Sequence, residues 1–465
     1  MPTYETKDLI VLLPGIGGSV LSKDGKEVWG TSAEAQWRGL ASLGGSVKDL
    51  ELKGDDPAAD DVGDGVTATG LIQGITILPG LWKIDVYHKT SKMLREAFGL
   101  TPGENYFEFA YDWRRDNRPA ARQLQKKIDD WLAKWRKKSG NPEARAVLVA
   151  HSMGGLVSRY YLEVLGGWKS VRSLITFGTP YRGSLNAVSY LVNGFRKGIW
   201  PVKLDLSPVI RSLTSVYQLL PTYACVDAGP GKPQQVAETP SLPDIDNQRA
   251  KAALAFHQEI VDRQTENAAN AAYRENGYRI FPIVGIEQPT LQSAHLRNNK
   301  VEMLFTLGGK DYSGDGTVPQ VSATPLELAK EERETYAVEK HGCLQTNDAM
   351  LAQLRGILSR PHEELARLRA TGPPITLSLD IEDAYATDEP VKLGITTSDK
   401  RPKLEARLFR ADSSRACQKG LLKWLEGGRQ EISFDPLRAG VYRVTVSGDD
   451  EVSPVSDVFC VAAKK

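Results

Sequence analysis

Ser152 lies in the string Ala150-His151-Ser152-Met153-Gly154-Gly155, between the Val/Leu run AVLVA and a stretch of helix-forming residues. A serine hydroxyl becomes a useful nucleophile only when a neighbouring base takes its proton. Small residues two positions to either side allow a sharp strand-to-helix turn that lifts the hydroxyl above a sheet. The pattern is Gly-x-Ser-x-Gly with Ala150 in place of the first glycine. The helix that follows would aim its unpaired N–H groups at a developing oxyanion, which makes the Met153 amide one expected donor. The chemistry implied is acyl transfer through Ser152; the alternative is a tight turn with small residues and nothing more.

Such a serine needs a histidine and an orienting acid, and in this type of site they follow it in the order Ser, acid, His. Downstream of Ser152 stand His257, His295, His341 and His362. His257 sits in an Ala- and charge-rich helical stretch, and His362 follows a proline. His341 follows the strand-like run TYAVEK and opens the turn HGCLQTND, where a catalytic base is expected. The alternative for it is an ordinary surface histidine. Between serine and histidine, the loop GGKDYSGDGTVP (308–319) places Asp315 between Gly314 and Gly316. Asp beside Gly often only shapes a turn; within this ordered set Asp315 is the expected acid, with Asp311 its nearest rival. Cys343 lies two residues from His341 but has no second base, and is read as a packing residue.

A second oxyanion donor is expected after an early strand. LIVLL (9–13) runs into Pro14-Gly15-Ile16-Gly17-Gly18, and glycines let backbone approach a substrate closely. The donor read from this loop is the Ile16 amide. A phosphate cradle is the alternative, but the loop lacks the Lys-Ser/Thr ending of a P-loop and the spacing of a dinucleotide fingerprint.

The elements that must hold these residues are strand-like runs at 9–13, 106–110, 146–150, 173–177, 278–284 and 335–338, alternating with helical stretches. That alternation predicts a mainly parallel sheet, hence an α/β fold. Almost a hundred residues separate Pro180 from the strand near Gly277. An insertion there, about 181–277, is where hydrolases of this type carry a cap or lid. Phe195, Trp200, Leu204, Leu206, Val209, Ile210, Leu213, Val216, Tyr217 and Leu219 make it apolar enough to line an acyl pocket or to form a core of its own. From Arg114 to Lys138, Leu124, Ile128, Trp131, Leu132 and Trp135 recur at helical spacing among ten Lys or Arg and three acidic residues. This is an amphipathic helix with a solvated basic face. After Thr371-Gly372-Pro373-Pro374, the runs ITLSLDI, VKLGITT, LEARLF, EISFD, GVYRVTV and SDVFCVA alternate at period two. They predict an all-β immunoglobulin-like sandwich over 371–465, appended to a catalytic domain over 1–360. It carries no residue set that suggests catalysis, and its partner is open.

LPGIGGS, YDWR (111–114), AHSMGGL, FGTPYRGS (177–184), YQLLP (217–221) and GDGTVP (314–319) stand together in one order over roughly residues 8–350. In this the chain resembles the lecithin:cholesterol acyltransferase-like family of α/β-hydrolases. The resemblance implies an α/β-hydrolase fold and a serine esterase or O-acyltransferase acting on phospholipid or neutral-lipid esters through an acyl-serine. By it Ser152, Asp315 and His341 are the triad, and Ile16 and Met153 the oxyanion donors. Secreted members of the family clasp an early lipid-contacting segment with a disulfide; no cysteine precedes Cys225 here, so that clasp is absent. The matching region, about 29–87, includes GITILPGLWKI, whose Ile75, Ile77, Leu78, Leu81 and Trp82 would dip into a membrane or micelle or else pack in a core.

With 465 residues there is room for a large core and an appendage, and a net charge of +1 gives no bulk field for nucleic acid. Four dispersed cysteines show no metal-site spacing, and neither metal nor cofactor is implied. Cys417 and Cys460 would pair only in an oxidising compartment and stay reduced in a cytoplasm. Residues 1–7 are polar and 9–13 too short for a signal-peptide core, so the expectation is a soluble cytoplasmic protein. Two other readings stay open: a non-catalytic interaction protein that uses the hydrolase fold as scaffold, and an esterase for short soluble esters.

Overall fold

Strands covered on both faces read as unbroken apolar runs rather than alternating ones, and Leu9–Leu13, with every residue buried, is such a strand. The computed structural model describes residues 6–30, 49–73, 76–78, 82–84, 87–194, 196–197, 204–328, 334–359, 376–397, 402–411, 413, 415–424, 429–448, 452 and 454–462. Ile75, Leu81, Phe195, Trp200, His362 and the 371–374 break lie outside these residues, as do the side chains of Ile77, Leu78, Trp82 and Leu204.

Among the described residues the central sheet has six strands: β1 (Leu9–Leu13), β2 (Tyr106–Glu108), β3 (Ala146–His151), β4 (Val171–Phe177), β5 (Arg279–Ile286) and β6 (Thr335–Val338). Their order is β6-β5-β4-β3-β1-β2, and every neighbouring pair is parallel. This is the α/β-hydrolase sheet expected from the sequence. Alternate residues feed opposite layers. Leu9, Val11, Leu13, Leu148 and Ala150 pack on one side with Leu124, Ile128 and Leu156. Ile10, Leu12, Val147, Val149, Ile175 and Phe177 pack on the other with Tyr87, Leu94, Leu351 and Leu354. The register sets Leu13 beside Ala150 and His151 beside Phe177, so the carboxyl ends of β1, β3 and β4 converge around Ser152.

Helix α1 (Tyr87–Phe98) lies on the second layer and α2 (Asn117–Ser139) on the first. The basic helix begins later than the 114–138 spacing suggests, because Arg114 and Arg115 are taken up elsewhere. Arg114 Nη2 reaches Asp112 at 2.7 Å and Asp64 at 2.8 Å, and Arg115 Nε reaches Asp55 at 3.0 Å. Asp116 caps the helix by accepting from the Arg118 amide at 2.8 Å. Leu124, Ile128 and Leu132 are buried as the spacing requires, while Trp131 and Trp135 are half-buried. Part of the basic face is already neutralised: Arg118 pairs with Glu259, and Arg122 and Lys126 share Asp60.

Residues 376–462 form two sheets. One orders Leu377–Ile381, Val391–Thr397, Gln430–Phe434 and Lys423–Trp424; the other orders Ala384–Ala386, β7 (Val455–Ala462), Gly440–Ser447, Glu405–Arg410 and Ala416–Leu421. Leu379, Leu393, Leu408, Val444, Val446 and Phe459 fill the space between them, giving the C-terminal β-sandwich. All four cysteines are free, Cys417 and Cys460 included. No helix among the described residues is long and apolar enough to cross a membrane.

Helix α3 (Gly154–Arg159), which follows Ser152, continues as a π-helical turn over Tyr160–Val164. Its end is anchored by buried charge. Arg159 bonds Glu163 at 3.1 Å and also reaches Tyr278 and Glu327, while Glu163 accepts from Asn267 at 2.8 Å and Tyr273 at 2.9 Å. Removing one member of such a cluster leaves the other as an uncompensated buried charge. Arg159→Met is therefore expected to cost about 3–5 kcal/mol of stability, read as a lower denaturant midpoint; a midpoint equal to wild type would show that the cluster does not anchor α3.

Candidate active site

The turn after β3 places Ser152 at φ 51°, a left-handed conformation unusual for a residue with a side chain. The strain is held by hydrogen bonds from the Ser152 amide to Phe177 O at 2.9 Å and from Thr179 Oγ1 to Ser152 O at 2.9 Å. Crowding explains the small neighbours. A methyl group on Gly154 would lie 2.5 Å from Pro14 O, one on Gly155 2.1 Å from Thr179 Oγ1, and one on Gly15 2.8 Å from Ser152 Cβ. The 14–18 loop thus lies directly over the serine.

The structure brings Ser152, His341 and Asp315 into one line. His341 Nε2 is 3.0 Å from Ser152 Oγ, and His341 Nδ1 is 2.7 Å from Asp315 Oδ2. The other carboxylate oxygen of Asp315 accepts from the amides of Thr317 at 2.9 Å and Val318 at 2.7 Å. Its own carbonyl accepts from the His341 amide at 2.8 Å, so the acid is fixed at both ends. Asp315 is buried, and the His341 side chain is mostly covered. Gly178, at φ 56°, passes beneath the pair; a methyl group there would sit 2.8 Å from Asp315 Oδ2 and 2.9 Å from His341 Nδ1. Asp311 instead accepts from Gln292 Nε2 at 2.5 Å and the Ser313 amide at 2.7 Å, closing its own loop. His257 is buried against Gln218 O at 2.7 Å, and His295 lies 3.6 Å from Asp227. Cys343 packs against Val458 and Cys460.

Ile16 lines the cavity with Ser152 and His341, and Met153 caps α3, so its amide belongs to the first turn, where no intrahelical acceptor exists. The cavity measures about 280 Å³. The segment 181–277 supplies much of its apolar lining through Ala187, Tyr190, Val216 and Leu219. Leu206, Val209, Ile210, Leu213 and Tyr217 are buried in the main core instead.

The remaining motifs hold this arrangement together. Tyr111 of YDWR donates to Pro14 O at 2.9 Å, and Trp113 Nε1 to Ser19 O at 3.1 Å. In FGTPYRGS, Gly183 lies under the Leu220 carbonyl of YQLLP, and Ser184 Oγ donates to Thr317 O at 2.5 Å.

Two residues that sequence reasoning passed over belong to the same network. The buried ring of His151 approaches His341 O through Nε2 at 3.2 Å, and a carbonyl can only accept, so Nε2 carries the proton. Nδ1 therefore accepts from the Tyr87 hydroxyl at 2.8 Å, and the Tyr87 oxygen in turn accepts from the Gly15 amide at 2.9 Å. The loop over the serine and the backbone of the base are joined through two buried side chains. Burial, aided by His341, holds His151 down to about 3, so it stays neutral. Burial also pushes the Tyr87 phenol above its usual value. One signal was present: a histidine beside the nucleophile, at the end of a strand otherwise fully apolar. Nothing local marked Tyr87.

Residues 66–236 match the family model for lecithin:cholesterol acyltransferase. The match takes in Ser152 and Met153; Ile16, Asp315 and His341 fall outside it. Human lysosomal phospholipase A and acyltransferase is 26% identical over 305 residues, covering 61% of this chain and 69% of that protein. Its Bos taurus counterpart is 27% identical over 292 residues, covering 57% of this chain and 65% of that protein. The aligned part thus spans about two thirds of each relative's length. Among solved structures, Bacillus licheniformis lipase BlEst2 in mature form aligns over 77% of this chain and 96% of its own at 13% identity, with a TM-score of 0.35. The family model and these lysosomal relatives show the resemblance to the lecithin:cholesterol acyltransferase-like family. The relatives are named as lysosomal, which lends the cytoplasmic expectation no support.

Tyr87→Phe removes the hydroxyl that joins Gly15 to His151 while leaving the ring. It is expected to lower kcat on an ester by about 10- to 100-fold with little change in KM, because misplacement by about 1 Å is enough to do so; wild-type kcat would show that the link is idle. His151 titrates near 3 when folded against 6.5 unfolded, so its contribution to stability is complete above pH 6.5 and lost as pH falls toward 3. Thermal midpoints should decline below pH 6.5, and less steeply in His151→Gln. Equal slopes would contradict the assignment.

Proposed function

We propose that this chain is a serine esterase acting on lipid esters, of phospholipase or O-acyltransferase type, working through an acyl-serine intermediate. Its catalytic unit spans 1–360 with an insertion at about 181–277, followed by a sandwich at 371–465. The observation that carries the reading is the continuous contact from Ser152 Oγ to His341 Nε2 at 3.0 Å and on to Asp315 at 2.7 Å. In this reading Ser152 Oγ attacks the ester carbonyl as His341 takes its proton. The oxyanion rests on the Ile16 and Met153 amides, and Asp315 stabilises the imidazolium. Collapse breaks the ester C–O bond, His341 protonates the departing alcohol, and the acyl group stays on Ser152. Water or an acceptor alcohol then attacks, His341 again takes the proton, and the second collapse returns it to Ser152.

Lipid esters are favoured over short soluble ones by the apolar lining from Ala187, Val216 and Leu219 and by the lipid-acting relatives. Contact with a membrane or micelle through the 74–84 stretch belongs to the same proposal. The four free thiols suit a reducing compartment such as the cytoplasm. A fluorophosphonate probe separates this reading from a non-catalytic scaffold. Stoichiometric labelling of the folded chain, abolished in Ser152→Ala together with a loss of about 10⁴-fold or more in ester turnover, is the expected result. A folded chain that neither labels nor turns over any ester would support the scaffold. Rates on a long-chain phospholipid that do not rise above its micellar threshold would favour the short-ester alternative.

A further inference from the structure

The C-terminal sandwich does not hang free of the hydrolase domain; it is joined to the turn that carries His341. Glu339, two residues before the histidine, accepts the Ser456 amide of β7 at 3.1 Å through one oxygen and Asn347 Nδ2 at 3.0 Å through the other. Cys343, two residues after it, packs on Val458 and Cys460 of the same strand. Val338 enters the sandwich core, and Gln288, whose amide bonds the carbonyl before Asp315, donates its side chain to Leu377 O at 2.8 Å. The backbone of the hairpin Thr76–Leu78/Trp82–Ile84 lies against β7 as well.

This docking puts sandwich residues into the cavity: Ile381, Asp383 and Asp457 share its lining with Ser152 and His341. Their place can be related to the chemistry, on the esterase reading given above. The proton on His341 Nε2 must reach the departing oxygen, so the alcohol part of an ester lies on the histidine's side of the cavity. On that side stand Lys340 and Gly342, the chain neighbours of His341, and the sandwich residues bonded to the same turn. Much of the apolar lining, suited to an acyl chain, comes from the 181–277 insertion instead, with Ile16, Val318 and the sandwich's Ile381 adding to it. The alcohol side thus holds two carboxylates against the single ammonium of Lys340. Asp457 Oδ1 already accepts from the Val458 amide at 2.8 Å. What the two carboxylates offer a ligand is charge in a partly enclosed space, where charge acts over several ångströms.

We propose that the C-terminal sandwich forms the wall of the active-site cavity that meets the alcohol portion of the ester, with Asp383 and Asp457 admitting uncharged or cationic alcohols and turning away anionic ones. The sandwich is then a specificity element of the catalytic site rather than a spacer or a module for a separate partner.

The test compares octanoate esters of ethanol, choline and isethionate, which share one acyl group and differ in the charge of the alcohol. The full-length wild type is expected to show a higher kcat/KM on the choline ester than on the isethionate ester. That ratio should fall about fivefold or more in Asp383→Asn and in Asp457→Asn, mainly through KM, and further in Asp383→Lys. Asp383 is partly exposed, so its variants keep the test valid if buried Asp457 tolerates no change. Wild type alone should also lose part of the ratio in high salt. A wild-type ratio at or below one, or a ratio within twofold of wild type in both neutral variants, would overturn the proposal. So would a chain that turns over esters only after cleavage between residues 360 and 375, since the sandwich would then be a plug. Failure of wild type on all three esters together with no fluorophosphonate labelling would instead remove the esterase reading, and this wall with it.

Discussion

The site depends on how closely the loop after β1 lies over the turn after β3. Ser152 occupies a backbone conformation that L-residues avoid, and it stays there because three glycines admit their neighbours at distances no side chain would allow. That one constraint sets the loop that carries Ile16 over the turn that carries Ser152 and Met153. Strain of this kind persists only where surrounding structure overdetermines it, and here each neighbouring segment is tied to another. Tyr111 bonds the Pro14 carbonyl, Tyr87 the Gly15 amide, and Thr179 the Ser152 carbonyl.

Ser152, Asp315 and His341 come from turns after three different strands, yet they are not positioned independently. His151 bonds the carbonyl of His341 on one side and, through Tyr87, the loop over the serine on the other. Its neutrality makes this possible: an imidazolium would have no lone pair to accept the Tyr87 proton. Glu339 plays a comparable part behind the base. Burial lifts its carboxyl to about 7, and its oxygens gather the Lys340 amide, Asn347 and the Ser456 amide. The turn carrying His341 is therefore held by the hydrolase core on one face and the sandwich on the other.

Much of this was legible in the sequence, and the limits have physical causes. The inner strands β1, β3, β4 and β5 announced themselves because buried parallel strands are largely continuous apolar runs, whereas the edge strands β2 and β6 are shorter and only partly buried. Ser152, Asp315 and His341 were readable because each sits in a turn whose local chemistry differs from its surroundings and whose order along the chain is constrained. The choice of Asp315 over Asp311 rests on side-chain geometry, which a loop with two nearby aspartates does not reveal. Ala384–Ala386 and Ala416–Leu421 escaped notice because their residues alternate weakly: ACQKGL has no fully buried position. Tyr87 and the sandwich wall were invisible for a different reason. Their roles arise from contacts distant in sequence, 64 residues for Tyr87 and His151, and a tyrosine opening a helix or an aspartate within or just after a strand looks the same wherever the chain later folds.

In the proposed reaction an acyl group passes through the hydroxyl of Ser152. Mass spectrometry of enzyme quenched during steady turnover of a long-chain p-nitrophenyl ester tests this most directly. A mass increase of one acyl group, confined to the peptide that contains Ser152, is expected. Sustained turnover with no adduct on that peptide, or with the acyl group on another residue, would contradict it.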